Sequence, residues 1–280
     1  MLLGENSKKQ TRTEIPCNQN VIVIGSSGSG KTYSYVLSNL LQMNHSAVIV
    51  DYMGYLYNKY GKYFEENGIK VYNFGIIPET IDAELVEELG TKPVYIFLTP
   101  SVSVNHGAGR FINALWTELK NFGERVANGE TEYKPKHKRD HYLPYPVHFY
   151  LDEFSNLSRL DTDDLGELHR LNIIPMFSIS GRYGIGTSVI LQSITQLSEH
   201  EKYKDNGNWE TICGNADAHL FLNCISPEDL KYIRYKTELT GDITKQLFDN
   251  DLTIICSRND GLVLSPKPDP EDYIFPTFNE

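Results

Sequence analysis

Residues Gly25-Ser26-Ser27-Gly28-Ser29-Gly30-Lys31-Thr32 lie between the apolar run Val21-Ile22-Val23-Ile24 and the segment Tyr33-Ser34-Tyr35-Val36-Leu37. Glycines at this spacing before lysine and threonine form a P-loop pattern, which needs a strand to arrive from and a helix to leave into. The glycines let the backbone curl until successive N–H groups point inward at phosphate oxygens, and the following helix adds its positive N-terminal end. On this reading residues 25–32 cradle the phosphates of ATP, Lys31 reaches the β and γ phosphates, and the Thr32 hydroxyl ligates Mg²⁺. The alternative is a glycine turn that only joins a strand to a helix.

A chain of 280 residues buries a large core, and an α/β sheet with helices on both faces fits that size as one domain, 1–280. The formal net charge of -11 argues against a surface coated in nucleic acid, because such binding rests on neutralising phosphates. Cys17, Cys213, Cys224 and Cys256 are scattered, with no CxxC pair and no histidine at metal spacing. Neither a disulfide framework nor a zinc site is expected, and a reducing cytoplasm fits this cysteine usage. No apolar run approaches the ~18 residues needed to span a bilayer, and polar residues from Glu5 to Arg12 leave no signal-peptide core. The expectation is a soluble chain with no membrane contact of its own.

Short β-rich runs alternate with longer helical patterns, the signature of a mostly parallel sheet built from right-handed crossovers. Strands are expected at 21–24, 47–51, 69–74, 94–98, 147–152, 188–192, 219–222 and 252–256, with helices opening near Lys31, Gly54, Gly107, Asp164, Thr195 and Ser226. Residues 130–145 lose all apolar periodicity. Their basic residues Lys134, Lys136, Lys138 and Arg139 either form a solvated charged loop or touch DNA phosphates.

An ATPase of this type needs a second carboxylate at the end of a neighbouring strand, with an acid beside it to polarise water. Val147-His148-Phe149-Tyr150-Leu151-Asp152-Glu153 supplies both. Asp152 is assigned to the Mg²⁺ shell and Glu153 to water activation, at the carboxyl edge of the sheet where α/β ligands bind. Gln192, after Ser188-Val189-Ile190-Leu191, either senses the γ-phosphate and orients water or is an ordinary polar strand end. Arg182, in a glycine-flanked loop, either stabilises transition-state charge, including that of a neighbouring subunit, or is a plain surface arginine.

The order of these motifs resembles the coupling ATPases of conjugation and type IV secretion, the TraG/TraD-like relatives of the FtsK and HerA DNA translocases. The matching segments are Leu3-Gly4-Glu5, Asn18-Gln19-Asn20 leading into the P-loop, Asn39-Leu40-Leu41-Gln42, and Leu151-Asp152-Glu153-Phe154-Ser155-Asn156, similar to an LDEFxN block. Gly181-Arg182, Leu191-Gln192-Ser193 with Gln196-Leu197, and Thr211-Ile212-Cys213-Gly214-Asn215-Ala216-Asp217 follow in order, the last two similar to QSxxQL and TIxGNxD blocks.

The resemblance implies a RecA-like core that assembles as a hexameric ring and hydrolyses ATP between subunits, with Arg182 as the arginine supplied in trans and Gln192 as a coupling residue. It also implies help in delivering DNA with attached protein to a secretion channel, contact with relaxosome components, and recruitment to the inner face of the membrane. DNA binding by this acidic chain is expected to be weak and non-specific. Three departures stand out. Asp51-Tyr52-Met53-Gly54-Tyr55 keeps the aspartate and glycine of a DxKGE-like block but lacks its lysine and glutamate, and residues 75–93 are too few for the helical domain that relatives insert there. The N-terminal membrane helices of the family are missing as well. A soluble FtsK/HerA-like translocase and a degenerate nucleotide-binding scaffold with little turnover are the alternative functions.

Overall fold

The computed structural model describes residues 1–6, 11–14, 16–100, 107–137, 141–159, 171–198, 208–224, 226–237, 252–258 and 261–273. The chain opens with β1 (Leu2–Asn6), β2 (Thr11–Glu14) and β3 (Val21–Gly25), then a π-helical segment, Lys31–Leu37, that runs into the short α1 (Ser38–Leu40). Next come β4 (Ser46–Val50), α2 (Tyr55–Glu66), β5 (Lys70–Phe74), α3 (Ala83–Thr91), β6 (Val94–Leu98) and α4 (Ala108–Ala127). They are followed by β7 (Val147–Leu151), α5 (Phe154–Arg159), α6 (Ile173–Ile179), β8 (Ile185–Leu191), α7 (Thr195–Ser198) and α8 (Asn208–Asn215). The described elements end with β9 (Ala218–Leu222), α9 (Pro227–Thr237), β10 (Leu252–Ser257) and β11 (Gly261–Pro266).

These elements form two compact units. One, the P-loop unit, gathers Met1–Pro16, Val21–Met43 and Ile190–Glu280; the second gathers Cys17–Asn20 and Asn44–Val189.

In the P-loop unit β3 pairs in parallel with β9 from Val21↔Ala218 to Gly25↔Leu222. Strand β10 then pairs antiparallel with β9, and β11 antiparallel with β10, giving the order β11-β10-β9-β3. Every residue of β3 and β9 is buried. Strand β1, paired antiparallel with β2, packs against β10 and β11. The fit is close at Gly4, where a Cβ would stand 2.5 Å from Ser265 Oγ. A buried amide joins this strand to the helix after the P-loop: Asn39 accepts from Leu2 N (2.7 Å) and donates to Leu2 O (2.9 Å) and Tyr35 O (2.8 Å).

The second unit carries five parallel strands in the order β8-β7-β4-β6-β5. Strands β4, β6 and β7 are buried at every position, as interior parallel strands are, which is why they read as apolar runs broken only at Ser46 and His148. Helix α4 buries Phe111, Ile112, Leu115, Trp116, Leu119, Phe122 and Val126, a stripe of helical period. The core of this unit also holds a polar chain. His45 Nδ1 donates to Asn44 Oδ1 (2.7 Å) while its Nε2 accepts from Tyr150 OH (2.8 Å). His148 Nδ1 donates to Cys17 O (2.8 Å) and its Nε2 accepts from Ser188 Oγ (2.7 Å).

All eight expected strands exist, with ends that match or move by at most three residues. Asp51, Asp152 and Gln192 fall just past their strands, and β8 begins three residues earlier than its apolar run suggested. The helices expected at Lys31, Gly54, Gly107, Thr195 and Ser226 open within one residue of those positions. The helix expected at Asp164 lies outside the described residues, as do Lys138 and Arg139. Residues 75–93 contain α3, whose N-cap Asp82 accepts from Glu84 N at 2.9 Å. No described helix is long and apolar enough to cross a membrane.

Candidate nucleotide-binding site

The P-loop leaves β3 at Gly25, where a Cβ would meet Leu222 O and Ser29 Oγ, each at 2.5 Å, so only glycine lets the loop fold this tightly onto β9. Gly28 and Gly30 hold left-handed backbone, φ 75° and 88°, a conformation that glycine adopts without the steric cost of a side chain. Ser29 N donates to Ser26 O (3.2 Å), closing the loop, and Ser26 Oγ donates to Asn223 O (2.9 Å) beyond β9. Ser27 and Gly28 form its exposed tip, and Thr32 is half-buried.

Lys31 is buried, and its ammonium sits inside the loop, donating to Gly25 O (2.6 Å) and Ser26 O (3.0 Å). Ser29 is only 2% exposed, and its Oγ, turned toward Gly25, is buried without a hydrogen-bond partner. A buried cation and an unsatisfied hydroxyl in one loop are what a phosphate oxygen would satisfy. A second lysine reaches the same loop from the far end of the chain: Lys267, just past β11, donates to Ser29 O at 2.9 Å.

Gln192 belongs to the same unit. It is exposed, and its N–H donates to Gln196 Oε1 (2.7 Å). The turn that carries it is tied down by Asp229, 2% exposed, whose Oδ1 accepts from Ser193 Oγ (3.0 Å) and Ile194 N (2.8 Å). Burial pushes the nearby Cys224 thiol well up from its usual range. The thiol donates to Ile24 O (3.3 Å) at the base of the loop.

Asp152, Glu153 and Arg182 belong to the second unit. Asp152 follows β7 and is buried, with Oδ1 accepting from Glu153 N at 2.9 Å. Glu153 is half-buried and has φ 49°, a left-handed backbone on a non-glycine residue. Arg182 is exposed on a 3₁₀ turn, with Nε donating to Tyr142 OH (2.7 Å) and its guanidinium 5.2 Å from that ring's centre. Asp51, after β4, accepts from Tyr57 N at 2.9 Å and so secures the start of α2. Burial raises the Asp51 carboxyl, opposed by the N–H groups of Tyr57, Leu56 and Tyr55.

Two family models match the chain: type IV secretory system conjugative DNA transfer over residues 4–78, and the TraM recognition site of TraD and TraG over residues 146–247. Over these two stretches the chain is similar to the TraG/TraD-like coupling proteins. Both models fall where the motifs lie, the first across the P-loop and the second from β7 through Gln192. No curated protein sequence matches the chain significantly. Among solved structures, the unbound bacterial conjugative coupling protein TrwB aligns at TM-score 0.54 and 10% identity, over 90% of this chain and 85% of TrwB. The DNA-packaging ATPase B204 from Sulfolobus turreted icosahedral virus aligns at TM-score 0.53 and 14% identity, over 91% of this chain and 99% of B204. At these identities the likeness is one of fold: the RecA-like α/β fold of P-loop NTPases.

Lys267, Asn223 and Asp229 belong to no motif of the sequence. Lys267 stands in Pro266-Lys267-Pro268-Asp269-Pro270, whose alternating prolines signal a stiff connection but not what it lies against. Asn223 acts through its carbonyl, which no side-chain pattern reports.

Proposed function

We propose that this chain is an ATP-hydrolysing motor of the conjugative coupling type, working as a ring of copies, a hexamer by the family pattern, that assists DNA or nucleoprotein transfer. The observation that carries the reading is the interior of the P-loop, where the Lys31 ammonium and the unpartnered Ser29 hydroxyl offer charge and hydrogen bonds to phosphate. ATP is the substrate, held by residues 25–32. Thr32 and Asp152 supply the hard hydroxyl and carboxylate oxygens that suit Mg²⁺, and that ion neutralises phosphate charge when bound. Glu153 is the residue assigned to water activation, and Gln192 couples the γ-phosphate to the turn that Asp229 holds. Arg182, exposed on its turn, serves a neighbouring copy. The match of residues 146–247 to a TraM recognition model supports relaxosome components as partners. Such an assembly works at the cytoplasmic face of the membrane beside a secretion channel.

A second reading, a nucleotide-binding scaffold with little turnover, draws support from the block after β4. There Asp51 is engaged in holding the start of α2, and the next residues carry no lysine or glutamate.

ATP turnover by the purified chain, with and without DNA and across a salt series, separates the two. For the motor, turnover is measurable, Lys31→Ala abolishes it, and Glu153→Gln keeps nucleotide bound while blocking hydrolysis. DNA raises the rate, and the effect fades with salt because few phosphate contacts carry it. Equal, negligible turnover in the parent and in Lys31→Ala, with nucleotide still bound by the parent, selects the scaffold.

A further inference from the structure

Beside the P-loop lies a cavity of about 460 Å³ whose two walls come from opposite ends of the chain. One wall is Gly28, Ser29, Gly30, Tyr33 and Ser34, and the other is Pro266, Lys267, Pro268 and Asp269. Its volume falls in the range of small-molecule sites, about 300 to 1,000 Å³. We propose that Pro266–Asp269 and Tyr33 form the subsite for the base and ribose of a nucleoside triphosphate. This rests on the P-loop reading and adds to it the half of the ligand that the phosphate motif leaves unassigned.

The direction of the ligand follows from the loop. Lys31 and Thr32 take the β and γ phosphates, so the α phosphate and the sugar lie toward Gly30, Tyr33 and Ser34, the residues that line the cavity. The opposite wall is stiff. Prolines at 266, 268 and 270 fix φ in every second residue. Asp269 Oδ1 accepts from Glu271 N (3.0 Å), starting the 3₁₀ turn Pro270–Asp272, which packs against the helix Lys31–Leu37. The Lys267 contact with Ser29 O ties this wall to the loop itself. A wall already held in place loses little entropy when a ligand enters.

The lining chemistry suits a nucleoside. The half-buried Tyr33 ring and the proline rings give flat apolar surface for a base face. Lys267 places a second cation next to the phosphates, and exposed Asp269 offers a carboxylate acceptor to ribose hydroxyls at the rim. The two lining side chains able to grip a base edge twice are already engaged, Lys267 with Ser29 O (2.9 Å) and Asp269 Oδ1 with Glu271 N (3.0 Å). Selection is therefore by stacking and the sugar, and ATP and GTP bind within about tenfold of each other, the difference that about 1.4 kcal/mol makes.

The test is calorimetric binding of ATP and of inorganic tripolyphosphate, both with Mg²⁺, to the parent, Tyr33→Ala, Asp269→Asn and Lys31→Ala, with melting curves to establish folding. The parent should bind ATP at least tenfold tighter than tripolyphosphate. Tyr33→Ala should erase most of that margin and Asp269→Asn part of it, both leaving tripolyphosphate within twofold. Lys31→Ala should lose both ligands. If Tyr33→Ala does not fold, Tyr33→Leu keeps the bulk and removes the ring. Photolabelling with 8-azido-ATP should also tag Tyr33 or residues 266–269. The inference is overturned if the variants bind ATP like the parent, if ATP binds no tighter than tripolyphosphate, or if the label falls elsewhere. Failure of the parent to bind tripolyphosphate at all overturns the P-loop reading, and the inference with it.

Discussion

Met53 holds a left-handed backbone, φ 74°, on the turn after β4, with its side chain 81% exposed. Glu153 after β7 and Asn223 after β9 share that conformation, each with φ 49°, so non-glycine strain recurs at the carboxyl ends of parallel strands. Such conformations persist where the surroundings over-determine them, and they gather at functional sites. At Met53 little packing would be lost on substitution. Met53→Gly should therefore stabilise the fold by about 0.5–1 kcal/mol, the left-handed penalty less the entropy of an added glycine. A urea midpoint that falls instead would show that the side chain is held by contacts its exposure hides. At this scale the sequence is legible where chemistry is local: Lys31 and Thr32 announce themselves by spacing from glycines. Lys267 does not, because its meaning lies in Ser29, 238 residues away.

Among the elements, the interior parallel strands were the most legible, since burial on both faces leaves a run of apolar residues without alternation. The edges were harder. Strand β11 is largely exposed and begins at a glycine, β1 contains Gly4, and α3 has nine residues, so none carries a strong period. What β1 does is set by Asn39 rather than by its own pattern. Asn39→Ala would strand Leu2 N and O in a buried setting, and unsatisfied groups cost about 1–3 kcal/mol each. The expected loss is about 2–4 kcal/mol, read as a lower denaturant midpoint with unchanged slope. A loss under about 0.5 kcal/mol, the scale of surface substitutions, would mean that water takes over the amide's role.

At the scale of the whole molecule, the buried imidazoles of His45, His148 and His219 shape the response to acid. Burial drives His148 and His219 down to about 3, and drives His45 well below its usual value, helped by His148. Tyr232 OH and His219 Nε2 share a hydrogen bond (3.0 Å). Their folded pKa values lie below the unfolded value near 6.5, so the stability they contribute is complete above that pH and is lost as pH falls toward 3. Each contributes up to about 1.4 kcal/mol per pH unit while only the unfolded chain takes the proton. The urea midpoint should fall from pH 7 to 5, and His148→Asn should flatten that slope by about one proton. A midpoint indifferent to pH over this span would mean that the imidazoles find protons without unfolding.

The register of the P-loop strand also sets an order in time. Ser26 and its anchor Asn223 are 197 residues apart in the chain, and the strand pairing beside them has a similar span, Val21 with Ala218. A ribosome adding about 5–20 residues per second makes the loop roughly 10–40 s before the strand that braces it. The residues in between, which build most of the second unit, can fold first. The newborn phosphate loop therefore waits, its sequence complete and its shape unsupported, until nearly the last strands emerge.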